Sequence, residues 1–280
     1  MRAYLCGVRG SAPAPGGEFV RYGGHTSCIA LAHDGAAAPQ LVLDAGSGLR
    51  AVSRLLGGAP FRGTIMLTHL HWDHVLELPF FAGGDREDAT PTVLVPEQPE
   101  GDALGAIAHL MSPPYFPIEP TQLRGRWTFA SVAPGERDVE GFAVLTRELP
   151  HKGGRTLGYR ISDSHSTLAY MPDHCPTLLG PGEDGFGEYH PAALELARDA
   201  DVLIHDAHLL ADELAQVEFG HSIADYCVEL ARRAGAQAVV LFHHRPDRTD
   251  DALDQLAQRF GACEPPPAVS VAAEGTVLEL

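Results

Sequence analysis

Apolar residues fall along this chain in short runs, punctuated by glycine, proline and acidic residues. The runs predict strands at 4–8, 27–32, 40–43, 64–67 and 92–95 in the first half. A second set follows at 127–132, 142–149, 156–161, 167–171, 202–204, 238–242 and 269–271. Several are continuous rather than alternating, the pattern of strands covered on both faces. Helical spacing appears between them. Over 222–234 it sets Ile223, Tyr226, Cys227, Leu230, Ala231 and Ala234 on one stripe. Ser222 and Asp225 have the spacing of a capping box at its start, and Gly235 marks its end. Segments 192–197 and 251–260 also read as helices, with Pro191 suited to a first turn.

Strands interleaved with helices in both halves predict an α/β (α+β) architecture of stacked layers. Pro/Gly-rich stretches at 11–17, 96–101 and 265–267 are short and read as loops. With no linker and no repeat of fixed period, one domain spanning 1–280 is expected. Segment 77–126 is Pro-rich, and its Met111-Ser112-Pro113-Pro114-Tyr115-Phe116 run is expected to form a lid or a homodimer contact; a plain surface loop is the alternative.

Composition narrows the partners. Lys and Arg number 20 against 37 Asp and Glu, a formal net charge of −17. Such a field repels polyphosphate backbones and disfavours nucleic acid as a partner. A small-molecule substrate is expected. The five cysteines, Cys6, Cys28, Cys175, Cys227 and Cys263, are scattered without a C-x-x-C pair, which argues against a disulfide framework or a thiolate zinc site. The first residues lack an apolar core with a cleavage site. No run approaches the ~18 apolar residues of a membrane span. A cytoplasmic protein is expected.

Fifteen histidines change the picture, because imidazole is the commonest metal ligand. The densest group is Thr68-His69-Leu70-His71-Trp72-Asp73-His74, directly after the apolar run Ile65-Met66-Leu67. On one helix His69 and His71 would point about 200° apart. In an extended segment, residues two apart share a side, so the pair can grip one ion. Asp73 and His74 follow as the chain bends and are placed for a second. Imidazoles with a carboxylate suit zinc, with iron and manganese as alternatives.

H-x-H-x-D-H after an apolar strand resembles the signature of the metallo-β-lactamase superfamily, and matching segments extend over nearly the whole chain in order. The resemblance implies a four-layer αββα sandwich and two divalent metal ions. Leu41-Val42-Leu43-Asp44-Ala45-Gly46 resembles the turn whose aspartate supports the metal loop. Pro150-His151 resembles the third histidine of the first metal. Ala169-Tyr170-Met171-Pro172-Asp173 resembles the strand end whose aspartate bridges both ions. Leu241-Phe242-His243 resembles the last histidine of the second, with His244 as the competing neighbour. The implied ligands are His69, His71, Asp73, His74, His151, Asp173 and His243.

Within the superfamily the nearest resemblance is to the branch of ribonuclease Z and cyclic-phosphate phosphodiesterases. Arg9-Gly10-Ser11-Ala12-Pro13, Tyr22-Gly23-Gly24-His25-Thr26-Ser27-Cys28, Leu203-Ile204-His205-Asp206-Ala207 and Gly220-His221-Ser222 carry it. His25 stands where relatives more often have Asn, and Asp206 where ribonuclease Z has Glu. The long basic arm that holds tRNA has no counterpart between His151 and Asp173. No flavodoxin-like segment follows Leu280, against a di-iron electron-transfer role.

These features imply a phosphodiesterase of small or cyclic substrates. Two metals about 3.5–4 Å apart share a hydroxide and clamp a phosphoryl oxygen. Asp73 would orient or deprotonate that water. His221 would serve the leaving oxygen, beside a helix N-terminus that favours anions. Lys152 and Arg155 are candidates to bind the phosphate. Hydrolysis of a lactone, thioester or β-lactam-like carbonyl is the alternative; iron redox chemistry and non-catalytic binding rank lower.

Overall fold

The computed structural model describes residues 1–262 and 266–280. Cys263 and the first residue of the expected 265–267 loop lie outside the described residues. A first sheet is built from β1 (Arg2–Gly7), β2 (Cys28–Ala32), β3 (Leu41–Leu43), β4 (Thr64–Met66), β5 (Thr92–Pro96) and β6 (Thr128–Val132). The second runs through β7 (Gly135–Val139), β8 (Phe142–Leu149), β9 (Thr156–Ser162), β10 (Thr167–Met171), β11 (Val202–Asp206), β12 (Ala238–Phe242) and β13 (Ala268–Val271). The last strand, β14 (Val277–Glu279), returns to pair antiparallel with β1.

The two-sided apolar runs are explained by what each face meets. In β2, Ile29 and Leu31 enter the core between the sheets, while Cys28 and Ala30 face an outer helical layer. In β12, Val240 and Phe242 point inward, and Val239 and Leu241 outward. Helices α1 (Leu49–Leu55) and α3 (Ala103–Leu110) cover the first sheet with Leu49, Val52, Ala103 and Ile107. A single-turn α2 (Trp72–Val75) sits beyond β4. The second sheet is covered by α4 (Pro191–Ala197), α5 (Ala224–Ala234) and α6 (Asp250–Gly261), through Leu196, Leu230, Leu256 and Phe260. The layers are therefore helix, sheet, sheet, helix, as expected. Each fully buried aliphatic or aromatic side chain contributes roughly 1.5–3 kcal/mol, largely offset by chain entropy.

Two differences from the expected elements have physical causes. The helix predicted over 222–234 begins at Ala224, with Ile223 as its cap residue and no side-chain cap. Ser222 instead donates its amide to Asp206 Oδ2 at 3.1 Å, so the Ser222–Asp225 box does not form. Gly235 does end the helix, in the left-handed conformation at φ 76°. β7 was not expected because it is an edge strand in which only Val139 is buried. Segment 77–126 supplies β5, paired parallel to β4 and β6, and α3. The run 111–116 leaves Tyr115 exposed; it lines an apolar groove with Trp72, Phe80 and Phe116.

β3, β4, β10, β11 and β12 are parallel neighbours within their sheets, so the loops leaving their C-terminal ends gather at one end of the sandwich. Those loops carry Asp44, His69, Asp173, Asp206 and His243. Ligands in open α/β sheets bind at such strand ends.

Candidate metal centre

After β4 the chain bends at Thr68 and runs without regular structure to His71, whose extended φ of −65° and ψ of 150° cap the single turn of α2. His69 and His71 thus project from the non-helical loop before α2, and Asp73 and His74 from the turn. Asp44 holds this loop. Its Oδ1 accepts from the Thr68 amide at 2.7 Å, and its Oδ2 accepts from the Tyr170 hydroxyl at 2.9 Å and faces His74 Nδ1 at 2.8 Å. Asp44 and His243 both have a φ of 60°. Non-glycine residues in this region concentrate at functional sites, held there by their surroundings.

The structure brings all seven candidate ligands together in two groups. In one, His69 Nε2 lies 2.9 Å from His71 Nδ1, and His151 Nε2 lies 3.4 Å from the same atom and 3.5 Å from Asp173 Oδ1. In the other, His74 Nε2 lies 3.3 Å from His243 Nε2, 3.2 Å from Asp73 Oδ2 and 2.9 Å from Asp173 Oδ2. His243 Nε2 is 3.2 Å from both carboxylates. Asp173 spans the two groups. His244 turns away: its Nε2 meets the carbonyl of Ala272 at 2.9 Å, and burial holds its pKa down at about 3.

The hydrogen-bond directions test whether cations fit. His151 Nδ1 faces the carbonyl of Gly220 at 2.7 Å, and a carbonyl only accepts, so Nδ1 carries the proton. Neutral His151 then aims an Nε2 lone pair into the first group. His74, with Nδ1 bound to Asp44, would do the same in the second once a cation displaces the proton from its Nε2. Lone pairs there face carboxylate oxygens, and Asp173 Oδ2 is buried with no hydrogen-bond donor. Acceptors converging on acceptors require a cation between them. The protein's own fields agree. Burial raises the Asp173 carboxyl, but His243, His74, His69 and His151 outweigh it and hold it well below the usual range. Burial likewise lowers His74, yet Asp73, Asp44 and Asp173 drive it well above the ordinary imidazole value.

Gly10 explains part of the R-G-S loop. A Cβ there would lie 2.3 Å from His243 Cε1 and Nδ1, so any side chain displaces a ring of the cluster. Gly10→Ala is expected to cost about 1–3 kcal/mol, as overpacked cores do. It should also lower bound metal per chain; unchanged metal content and melting temperature would show that His243 has room to move. Next to it, the Ser11 amide donates to Asp73 Oδ2 at 2.7 Å. Arg9 is buried and ties this loop to the cleft wall, donating to the carbonyls of Gly23, Arg245 and Arg248.

A cleft of about 720 Å³ opens over the groups and is lined by His71, Asp73, His151, His208, His221 and Arg245, with Trp72 and Phe219 exposed on its walls. His221 Nδ1 lies 3.2 Å from Asp206 Oδ2 and 3.4 Å from Asp173 Oδ1. Burial pulls the His221 imidazolium down, but Asp206, Asp173 and Asp73 overcome it and lift its pKa to about 9. Cations bound to those carboxylates would oppose the lift. The first amide of α5 is taken, Ala224 donating to the Leu209 carbonyl at 2.9 Å, and no residue of α5 lines the cleft. Lys152 is exposed and Arg155 is held by Glu97 and Glu148. Among the described residues the one cationic Lys or Arg lining the cleft is Arg245, itself paired with Asp247 at 2.7 Å. His208 was not singled out in the sequence. Its signal was its position two residues after Asp206, at the end of an extended strand.

The sandwich and its paired His/Asp groups define a class of metal-dependent hydrolase. Residues 40–244 match the family model of the beta-lactamase superfamily domain, and the chain belongs to that superfamily. Curated relatives include ribonuclease Z from Geobacillus kaustophilus, 27% identical over 232 residues that cover 69% of this chain and 73% of the relative. Ribonuclease Z from Salinibacter ruber is also 27% identical, with 86% of each chain covered. Among solved structures, a metallo-beta-lactamase fold protein from Bacillus subtilis has a TM-score of 0.69 at 19% identity, covering 99% of this chain and 98% of the other. A diphosphatase from the PhnP family has a TM-score of 0.67 at 18% identity, covering 100% and 97%. Human tRNase Z, short form, has a TM-score of 0.64 at 17% identity, covering 100% of this chain and 99% of the other. These structures establish the fold. Family membership and the clustered donors together mark a divalent-metal site. Among the described residues no helix is long and apolar enough to cross a membrane.

Proposed function

We propose that the protein is a phosphodiesterase of small or cyclic substrates, carried chiefly by one observation: two donor groups joined by Asp173 lie beneath a cleft whose wall holds His221 on Asp206. His69, His71, His151 and Asp173 Oδ1 would hold one divalent ion. Asp73, His74, His243 and Asp173 Oδ2 would hold the second. Zinc suits this nitrogen-rich set best, with manganese and iron as alternatives. Bound ions supply Lewis acidity and an activated water.

The chain's own residues do the rest. Asp73, fixed by the Ser11 amide, presents its carboxylate to the cleft and orients the attacking water. Asp206 Oδ2 accepts a hydrogen bond from His221 Nδ1–H and stabilises the imidazolium, whose Nε2–H gives its proton to the departing oxygen and leaves a neutral ring. Arg245 is the cationic wall for an anionic ester, and its ion pairs limit how much extra negative charge the cleft accepts. The likeness to ribonuclease Z supports phosphodiester over carboxyl-ester chemistry.

The metal-loaded protein should hydrolyse bis(p-nitrophenyl) phosphate faster than p-nitrophenyl phosphate or a β-lactam. A chelator should abolish the activity, and zinc or manganese should restore it. Turnover confined to lactones or thioesters would replace this reading with carbonyl hydrolysis. Preference for a structured RNA over every small diester would move the substrate class to RNA.

A further inference from the structure

The cleft carries an imidazole that the metal chemistry leaves unused. His208 lies two residues beyond Asp206, and its ring stacks on His221 with centroids 4.0 Å apart and planes 19° from parallel. Its Nδ1 lies 3.0 Å from the carbonyl oxygen of His243. The carbonyl only accepts, so Nδ1 carries the hydrogen, and in the neutral ring Nε2 is a bare lone pair. The side-chain hydrogen bond of His208 among the described residues is the one at Nδ1, and the ring borders the cleft. One edge of His208 is thus fixed to the backbone of His243, and the other offers an acceptor to whatever fills the cleft.

We propose that His208 is a specificity-determining residue whose Nε2 accepts a hydrogen bond from a substrate hydroxyl. The cleft then selects phosphate esters of polyols over esters of plain alcohols. This rests on a phosphate ester seated over the metal centre. The oxygens of an ionised diester are acceptors and cannot satisfy another acceptor, so the donor comes from the alcohol portion. A protonated amine would be repelled by divalent cations below it, and the neutral donor that the alcohol portion of an ester carries is a hydroxyl. Because His208 stacks directly on His221, the group that serves the leaving oxygen, the selected hydroxyl lies on the carbon adjacent to the one that bears that oxygen.

Calorimetric binding of glycerol 3-phosphate and n-propyl phosphate to the metal-loaded protein reads this directly. The two share a three-carbon chain and differ in their hydroxyls. The wild-type protein should prefer glycerol 3-phosphate by about five- to tenfold, the range of one net hydrogen bond. In His208→Asn the side-chain amide stands in for Nδ1–H, keeps the bond to His243 and removes the acceptor, so the ratio should fall to about one with metal content and melting temperature unchanged. In His208→Gln the side-chain oxygen stands in for Nε2, and most of the preference should remain. A purely structural role predicts the reverse order, with Gln damaged and Asn intact. Equal wild-type binding, no binding of either ester, an undiminished preference in His208→Asn, or loss of metal from that variant would each overturn the proposal. Turnover of bis(p-nitrophenyl) phosphate is scored separately: preference without turnover sinks only the phosphodiesterase reading, and turnover without preference sinks only the role of His208.

Discussion

Asp173→Ala is expected to lower bound metal from about two ions per chain to below one and to cut hydrolysis by ~10³ or more, beyond the 10–100-fold typical of residues that merely support ligands. The expectation follows from position. Asp173 Oδ1 is 3.5 Å from His151 Nε2 in one group, while Oδ2 is 2.9 Å from His74 Nε2 and 3.2 Å from His243 Nε2 in the other. Among the candidate ligands Asp73, by contrast, meets His74 and His243, both of the second group. Removing Asp173 takes an anionic ligand from both sites at once; removing His74 or His243 should chiefly empty the second. Melting temperature supplies a readout independent of turnover. An ion bound at a hundred times its dissociation constant stabilises the fold by about 2.7 kcal/mol, so a chelator should lower the wild-type midpoint clearly and the variant's hardly at all. Two ions retained in Asp173→Ala, with a wild-type-like chelator response, would refute the bridging assignment.

How much of this was legible depends on distance along the chain. His69, His71, Asp73 and His74 sit within one loop, so local spacing and the difference between extended and helical geometry exposed them directly. His151, Asp173 and His243 are isolated in sequence. Only family order pointed to them, and the fold shows why they meet: each leaves a strand at the same end of the sandwich. The outer layers were less legible. Helix α1 is short, α3 lies in a Pro-rich stretch, and β14 spans only Val277–Glu279, so none has a strong period. The Ser222–Asp225 pattern misled because a buried anion, Asp206, competes for the Ser222 amide. The same anion organises His221 and the His208 amide, at 3.2 and 3.0 Å, and that convergence exists only in three dimensions.

His221→Ala should lose about 10²–10⁴ of the rate on a diester with an alkoxide leaving group, and far less on bis(p-nitrophenyl) phosphate. A nitrophenolate departs without a proton, whereas a sugar or glycerol alkoxide needs one. His221 is placed to give it: Nδ1 is committed to Asp206 Oδ2 at 3.2 Å, and the ring borders the cleft. Metal content should stay near the wild-type value, since the proposed ligand sets are complete without this residue. A structural role predicts something else. His221 stacks on His208 and neutralises Asp206, so loss of packing would slow both substrates equally and lower the melting temperature. Loss of one ion would instead make His221 a ligand, a reading its 3.4 Å approach to Asp173 Oδ1 makes worth excluding. Asp206→Asn provides the decisive companion. It keeps the shape but weakens the charge that draws a proton to His221, so it should reproduce the selective defect on the alkoxide substrate. Equal losses on both substrates in both variants would remove His221 from the chemistry and leave it a packing residue.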